Sequence, residues 1–197
     1  MKMTKKLILA SRSPRRQLLL RQIGLDFEVC ESDIEEIFDY SKSPDVNAQT
    51  LSLEKANVVA AKIDNGIVIG ADTIVVVDGK ILGKPADAKE AVKMLMMLSG
   101  RTHKVYTGFS LVDCPTRRSV SKVAITDVTF RTLEEDEIAE YVRSGSPLDK
   151  AGAYGIQDDY GAVFVEKVNG CFYNVVGFPL MKFHLTFRKF LKQLRYH

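Results

Sequence analysis

Short apolar runs alternate along this chain with segments in which apolar positions recur every three or four residues, and that alternation predicts strands and helices in turn. Residues 6–10, containing LILA, form a buried strand; residues 14–23 form a helix with Leu19 and Ile23 on one face and Gly24 as its C-terminal stop. A short strand near 26–30 leads into an acidic, irregular stretch, ESDIEEIFDYSKSP. The next helix starts with Ser43 as cap and Pro44 in the first turn, and carries Leu51, Val58 and Val59 inward. The central strand GIVIGADTIVVVDGK ends in Asp78-Gly79, a turn pair that favours a hairpin return through ILGKP. Residues 86–98 read as a helix, and 103–112 with 119–130 as an antiparallel pair of strands. Thr132 and Glu135 have capping-box spacing for a helix over 133–143. Beyond DKAGAYGIQ come a hairpin around Asn169-Gly170 and a C-terminal helix from about residue 180. The expected fold class is α/β, three-layered, on a mixed sheet.

Composition narrows the class. A length of 197 residues suggests a single domain with ample chain for a core, at most divided into two lobes. The balance of 46% hydrophobic against 27% charged residues excludes a disordered chain. Apolar runs are interrupted and short of a bilayer span, and the start MKMTKKLILAS has too short an apolar region for a secretory signal. Cys30, Cys114 and Cys171 are odd in number and scattered, so neither a disulfide framework nor a zinc site is expected and a cytoplasmic location fits best. Lysine and arginine exceed aspartate and glutamate only enough for a net charge of +3, too little for a sequence-independent nucleic-acid footprint. Anion recognition must therefore be local.

The stretch SRSPRR at 11–16 stands where the first strand turns into the first helix. Ser13 is placed to cap that helix and Pro14 fits its first position, leaving free backbone N–H groups. Arg12, Arg15 and Arg16 strengthen the pull on an anion, although basic residues at a helix start cost roughly 0.3–1 kcal/mol each at exposed sites. A solvated helix start is the ordinary alternative, weakened by the position after the first strand, where α/β folds place ligand crevices. There is no GxxxxGK[ST] or GxGxxG fingerprint.

A second candidate is Asp72 in GADT, inside an apolar strand. Its role is open between a structural carboxylate capped by backbone N–H groups, a divalent-metal ligand and a proton acceptor for water. Lys84, in ILGKP on the return strand of the hairpin, is expected to approach the same place; Lys55, in LEKA on a helix, is a weaker candidate because helix lysines are usually solvated. Glu31, Asp33, Glu35 and Glu36 form either a solvated loop or, near Asp72, an oxygen-rich cation site. In LDKAGAYGIQ the small residues Gly152, Ala153 and Gly155 allow close approach of a ligand to backbone, and the Gln157 amide offers the donor and acceptor that reading a nucleobase edge requires. The three histidines are dispersed with no nucleophile constellation, which argues against covalent catalysis. These residues alone suggest an arginine-rich anion site facing a carboxylate, suited to metal-assisted chemistry on a phosphate compound.

Taken together, LILASRSPRR, VIGADTIVVVDGKILGKP, LSGRTHKVYTG, PLDKAGAYGIQ and YNVVGFPL resemble the Maf family of nucleoside triphosphate pyrophosphatases, in family order over about residues 6–181. The resemblance implies metal-dependent hydrolysis, with Mg²⁺ or Mn²⁺, of a nucleoside triphosphate to the monophosphate and pyrophosphate. It implies a fold like that of the inosine triphosphate pyrophosphatases, two lobes around a central cleft, and a homodimer. By the same resemblance Asp72 matches the family's proton acceptor, and Arg15, Thr73 and Gln157 match positions tied to base selection. Arg16, Glu36, Lys84, Ser11 and Lys55 match further positions around phosphates or metal, with Glu36 and Asp72 sharing the cation. The set SPRR, GADT and AYGIQ looks like the branch acting on dTTP and UTP. One departure follows Gln157: the family commonly continues with glycine and a short turn, whereas this chain continues DDYGAVFV, with acids at 158 and 159.

Other classes are a nucleotide-sensing regulator of cell division that binds without turnover, and a nucleic-acid binder through the arginines. The set of Asp72, Lys84 and Glu36 argues against the first, since binding alone needs no carboxylate at the phosphates. Near-neutral charge argues against the second.

Overall fold

The computed structural model describes residues 5–157 and 160–195, so the acidic pair Asp158 and Asp159 lies outside the described residues. In chain order the elements are β1 (Leu7–Ala10), α1 (Pro14–Gln22), β2 (Glu28–Val29), α2 (Pro44–Ala60), β3 (Ile67–Val77), β4 (Lys80–Leu82) and α3 (Ala88–Leu98). They continue with β5 (Thr102–Asp113), β6 (Ser119–Phe130), α4 (Glu135–Arg143), three 3-10 turns, β7 (Val165–Asn169), α5 (Phe172–Val176) and α6 (Leu180–Arg195). Among the described residues this is an α/β fold on an open seven-stranded sheet of order β2-β1-β3-β5-β6-β7, with β4 paired to β3. The sheet is mixed: β1 runs parallel to β2 and β3, whereas β3–β4 and β6–β7 are antiparallel.

The chain divides into two compact units, one within Met1–Asp72, Thr107–Ala124 and Gly177–His197, the other within Thr73–Tyr106 and Ile125–Val176. In the first, every residue of β1 is buried, as expected for a strand with parallel neighbours on both sides. On one side Ala56, Val59 and Ala60 of α2 pack with Ile8, Ala10, Val68 and Val112. Two glycines let α2 sit directly on strand backbone: a Cβ at Gly70 would lie 2.1 Å from the Ser52 carbonyl oxygen, and one at Gly108 2.1 Å from that of Ala48. Phe109, the next residue along β5, points the opposite way and meets Phe178 and Phe183 at ring separations of 5.9 and 5.7 Å. A buried phenylalanine contributes about 1.5–3 kcal/mol, so this aromatic group anchors α6.

In the second unit the β3–β4 turn has φ of +48° at Asp78 and +77° at Gly79, the pair of positive values that a two-residue hairpin of this type needs. Asp87 caps α3, its side chain accepting from the Glu90 N–H at 2.8 Å. The buried residues Ala91, Met94, Leu95 and Leu98 of α3 and Ile138, Tyr141 and Val142 of α4 face the unit's interior.

Several expectations shift. Helix α1 stops at Gln22 and leaves Ile23 at its C-terminal cap, 36% exposed, while Gly24 takes the positive φ of +74° that ends the helix. Val58 faces solvent, because Leu51, Lys55 and Val59 define the buried stripe of α2. The capping pair of α4 is Glu134 with Glu137, whose carboxylate accepts the Glu134 N–H at 2.9 Å, two residues beyond the Thr132–Glu135 pair. The segment around Asn169-Gly170 is no hairpin: β7 pairs back to β6, and the chain passes through Gly170 into α5. The Thr126 hydroxyl on β6 accepts the Cys171 N–H at 3.1 Å and holds that turn into helix. No described helix is long and apolar enough to cross a membrane.

Candidate active site

At the end of β1 the chain turns through Ser11 and Arg12 into α1. Ser13 caps the helix by accepting the Arg16 N–H at 3.4 Å, and Pro14 occupies its first turn. The buried Ser11 hydroxyl oxygen accepts from the Ser13 N–H at 3.3 Å and from the Arg16 guanidinium at 3.1 Å. Arg16 also donates through Nε to the Gly177 carbonyl at 3.0 Å, which links the SRSPRR turn to the VVGFPL segment. Burial depresses the Arg16 pKa, and the charges of Asp72 and Glu36 push it back up, so both carboxylates lie within its field. A guanidinium so placed remains charged at any working pH. Arg15 is half-buried on α1. Arg12 is exposed and pairs with Glu31 at 2.6 Å and with Asp33.

Asp72 is 3% exposed on β3, two residues after Gly70. Lys55, one turn beyond Ser52 on the glycine-seated face of α2, places Nζ 2.5 Å from Asp72 Oδ1 and 2.7 Å from Glu36 Oε1. Asp72 Oδ2 is buried and has no hydrogen-bond partner among the described residues. Burial pushes the Asp72 carboxyl above its usual range; Lys55 and then Arg16 oppose that, while Glu36 reinforces it. The result is a carboxylate with one oxygen held by an ammonium and the other open, and with raised proton affinity. It can take a proton from water or face a hard cation.

Lys55 corrects the expectation of a solvated helix lysine. The signal lay in the sequence, since Leu51, Lys55 and Val59 are spaced four apart and share the buried stripe. No group of three or more histidine, cysteine, aspartate or glutamate residues suited to a metal occurs among the described residues. Glu36 and Asp72 nonetheless fit Mg²⁺ or Mn²⁺. Such an ion is commonly bound by one or two carboxylates and completed by water and substrate phosphate, and the open Asp72 oxygen supplies a hard donor.

The remaining predicted residues belong to the second unit. Thr73 follows Asp72 and is half-buried. Lys84 is exposed and lies past the end of β4: the strand register would set it opposite Thr73, but the pairing stops at Leu82. The Gly83 carbonyl beside it accepts the Gly152 N–H at 3.0 Å. Gln157 is exposed at the end of the segment that begins there. The structure therefore brings Ser11, Arg16, Glu36, Lys55 and Asp72 together in one unit, and the Lys84 and Gln157 segments are joined to each other through Gly152 in the other.

Fold and cluster define the class as an α/β enzyme with a buried, lysine-held carboxylate beside a serine-capped, arginine-rich helix start. The chain belongs to the Maf family, whose model, described as Maf-like protein, matches residues 6–190. It is 50% identical over 184 residues to the dTTP/UTP pyrophosphatase of Carboxydothermus hydrogenoformans, covering 93% of this chain and 98% of that protein. It is 47% identical over 185 residues to the protein of the same name from Alkaliphilus oremlandii, covering 93% and 95%. To that of Acetivibrio thermocellus it is 50% identical over 182 residues, covering 89% and 90%.

Proposed function

We propose that this protein hydrolyses a nucleoside triphosphate, dTTP and UTP foremost, to the monophosphate and pyrophosphate, with Mg²⁺ or Mn²⁺ as cofactor. Family membership and the names of its relatives support the reaction class. The observation that carries the mechanism is the buried Asp72 with Oδ1 held by Lys55 and Oδ2 open.

In this reading Asp72 accepts at Oδ2 the proton of a water whose oxygen bonds to the α-phosphorus, while the bond from that phosphorus to the α–β bridging oxygen breaks and pyrophosphate departs. Lys55, at Oδ1, opposes the burial that raises the proton affinity of Asp72 and so favours its ionised form. Arg16, fixed by Ser11 and Gly177, and the neighbouring Arg12 offset part of the roughly four negative charges of a triphosphate; Lys84 is assigned to the phosphates on family resemblance. Glu36 would hold the divalent cation, sharing it with Asp72 only where Oδ2 is not taking the proton, and the bound ion would add charge neutralisation at the phosphates. Arg15, Thr73 and Gln157 are assigned to base selection on family resemblance. A homodimer in the cytoplasm completes the reading, and light scattering checks the dimer.

The test is pyrophosphate release from a nucleotide panel with each metal, comparing wild type with Asp72→Asn. The variant is expected to lose about 10²- to 10⁴-fold in kcat. Equal rates would remove Asp72 from the mechanism. Tight nucleotide binding with no product from any nucleotide would instead make the protein a sensor.

A further inference from the structure

His103 on β5 is 1% exposed and takes no part in the chemistry above. Its Nε2 shares a hydrogen bond of 2.8 Å with the Tyr154 hydroxyl. Its ring stands edge-on to Phe130 at 5.0 Å and to Tyr154 at 5.4 Å, and Phe130 meets Tyr154 at 4.7 Å. Tyr154 opens the YGIQ stretch that ends in Gln157.

The neighbours of Tyr154 are held as firmly. The Gly155 N–H donates to the Tyr141 hydroxyl at 3.3 Å, and the Gly152 N–H to the Gly83 carbonyl at 3.0 Å. A Cβ at Gly152 would meet Val75 at 3.1 Å, and φ is +70° at Gly152 and +61° at Ala153. A positive φ at alanine is sterically unfavourable and persists only where the surroundings impose it. Residues 152–155 thus form a fixed platform, and Gln157 begins two residues later, within about 7 Å of extended chain.

A phenylalanine at 103 would pack against the same two rings. The histidine adds a bond to Tyr154 but leaves Nδ1 buried with no partner among the described residues, a defect that costs about 1–3 kcal/mol. Burial also pushes the imidazole down to about 4, so the ring is neutral at working pH and acts as a hydrogen-bonding partner rather than a charge. Packing alone does not account for an imidazole there; a directional bond to Tyr154 does.

We propose that His103 is a positioning residue for nucleobase selection, holding the Tyr154 hydroxyl and thereby the platform from which the Gln157 amide meets the base edge. This rests on the reading above in which Gln157 contacts the base. A misplaced amide leaves base donors and acceptors unpaired, which is how a site built on hydrogen bonds discriminates.

The experiment measures kcat and KM for dTTP, UTP, CTP, dATP and GTP with wild type, Gln157→Ala, His103→Phe, His103→Gln and Tyr154→Phe, with Tm for each. Gln157→Ala is expected to collapse the pyrimidine preference. His103→Phe and Tyr154→Phe are expected to raise KM for dTTP and UTP about tenfold and to narrow the preference likewise. Their kcat and the acid limb of the pH profile stay unchanged. His103→Gln, which keeps a polar group near the Nε2 position, is expected to retain the preference. Tyr154→Phe carries the test if His103→Phe does not fold. A preference kept in His103→Phe and Tyr154→Phe but lost in Gln157→Ala overturns the role of His103 alone. A uniform kcat loss on every nucleotide, or a fall in Tm with no kinetic change, overturns it too. A preference that survives Gln157→Ala defeats the base-reading assignment and this inference with it.

Discussion

The Asp72 cluster and the Tyr154 platform both bury polar groups, and they do so with opposite chemistry. Around Asp72 the buried groups are ions: a carboxylate, an ammonium and a guanidinium within one another's fields. Around Tyr154 they are neutral: an imidazole, two phenols and backbone amides. Buried ions are expensive to isolate and change protonation when a partner leaves, so the first arrangement suits proton transfer and phosphate charge. Neutral hydrogen bonds hold direction without responding to pH near neutrality, so the second suits shape. The difference teaches where each kind of perturbation should act.

Among variants that keep Asp72, the largest effect is expected from Lys55→Met, which removes the ammonium that opposes the burial of Asp72. The Asp72 pKa, already raised, rises further, and since only the ionised form accepts a proton, the acid limb of the kcat profile moves to higher pH. Activity at pH 7 falls about 10²-fold while base preference is kept. An unmoved acid limb would break the contrast, showing that Lys55 serves structure only.

Next comes acid sensitivity of the neutral region. Burial holds the His103 imidazole down at about 4 in the folded chain, against 6.5 for an ordinary imidazole. Between those values the unfolded chain binds a proton that the folded one does not, so stability falls as pH drops from about 6.5 to about 4 and levels off below. The full loss amounts to about 3 kcal/mol. Urea unfolding at pH 7 and pH 4.5 should show it in wild type and show it reduced in His103→Phe; an identical pH dependence in the two would assign the loss elsewhere.

The smallest effect is expected from Tyr141→Phe, which leaves the buried Gly155 N–H without the acceptor of its long bond and costs about 1 kcal/mol. An unfolding penalty well above that figure would show that the Gly155 bond, long as it is, is a main support of the platform.

The legible part of the molecule is what short-range chemistry controls. The Ser13-Pro14 helix start, the Asp78-Gly79 hairpin, the Gly24 stop and the order of strands and helices follow from residues within a few positions of one another. Asp72 stands out in sequence as a carboxylate inside an apolar strand, and its burial agrees. Lys55 was legible only in part: its place on the buried stripe of α2 could be read from spacing, but its partners could not. The Asn169-Gly170 segment misleads because a turn-forming pair is compatible with either a hairpin or a helix start, and the hydroxyl that decides, Thr126, stands on another strand. His103 stands inside LSGRTHKVYTG, one of the stretches that carry the family resemblance, but nothing near it in sequence points to Tyr154, 51 residues on.

By itself the sequence determined the α/β class, the element order up to β7, the Asp78-Gly79 turn and the family, because periodicity, capping and turn chemistry act over a few bonds. Tertiary structure decided that Lys55 pairs with Asp72 from 17 residues away, that Arg16 is fixed by the Gly177 carbonyl 161 residues on, and that His103 holds Tyr154 across 51. Those pairings depend on how closely α2 can rest on Gly70 and Gly108 and on which strands lie side by side. The energy of a buried ion or hydroxyl is set by the partner it meets, and only the folded chain supplies that partner.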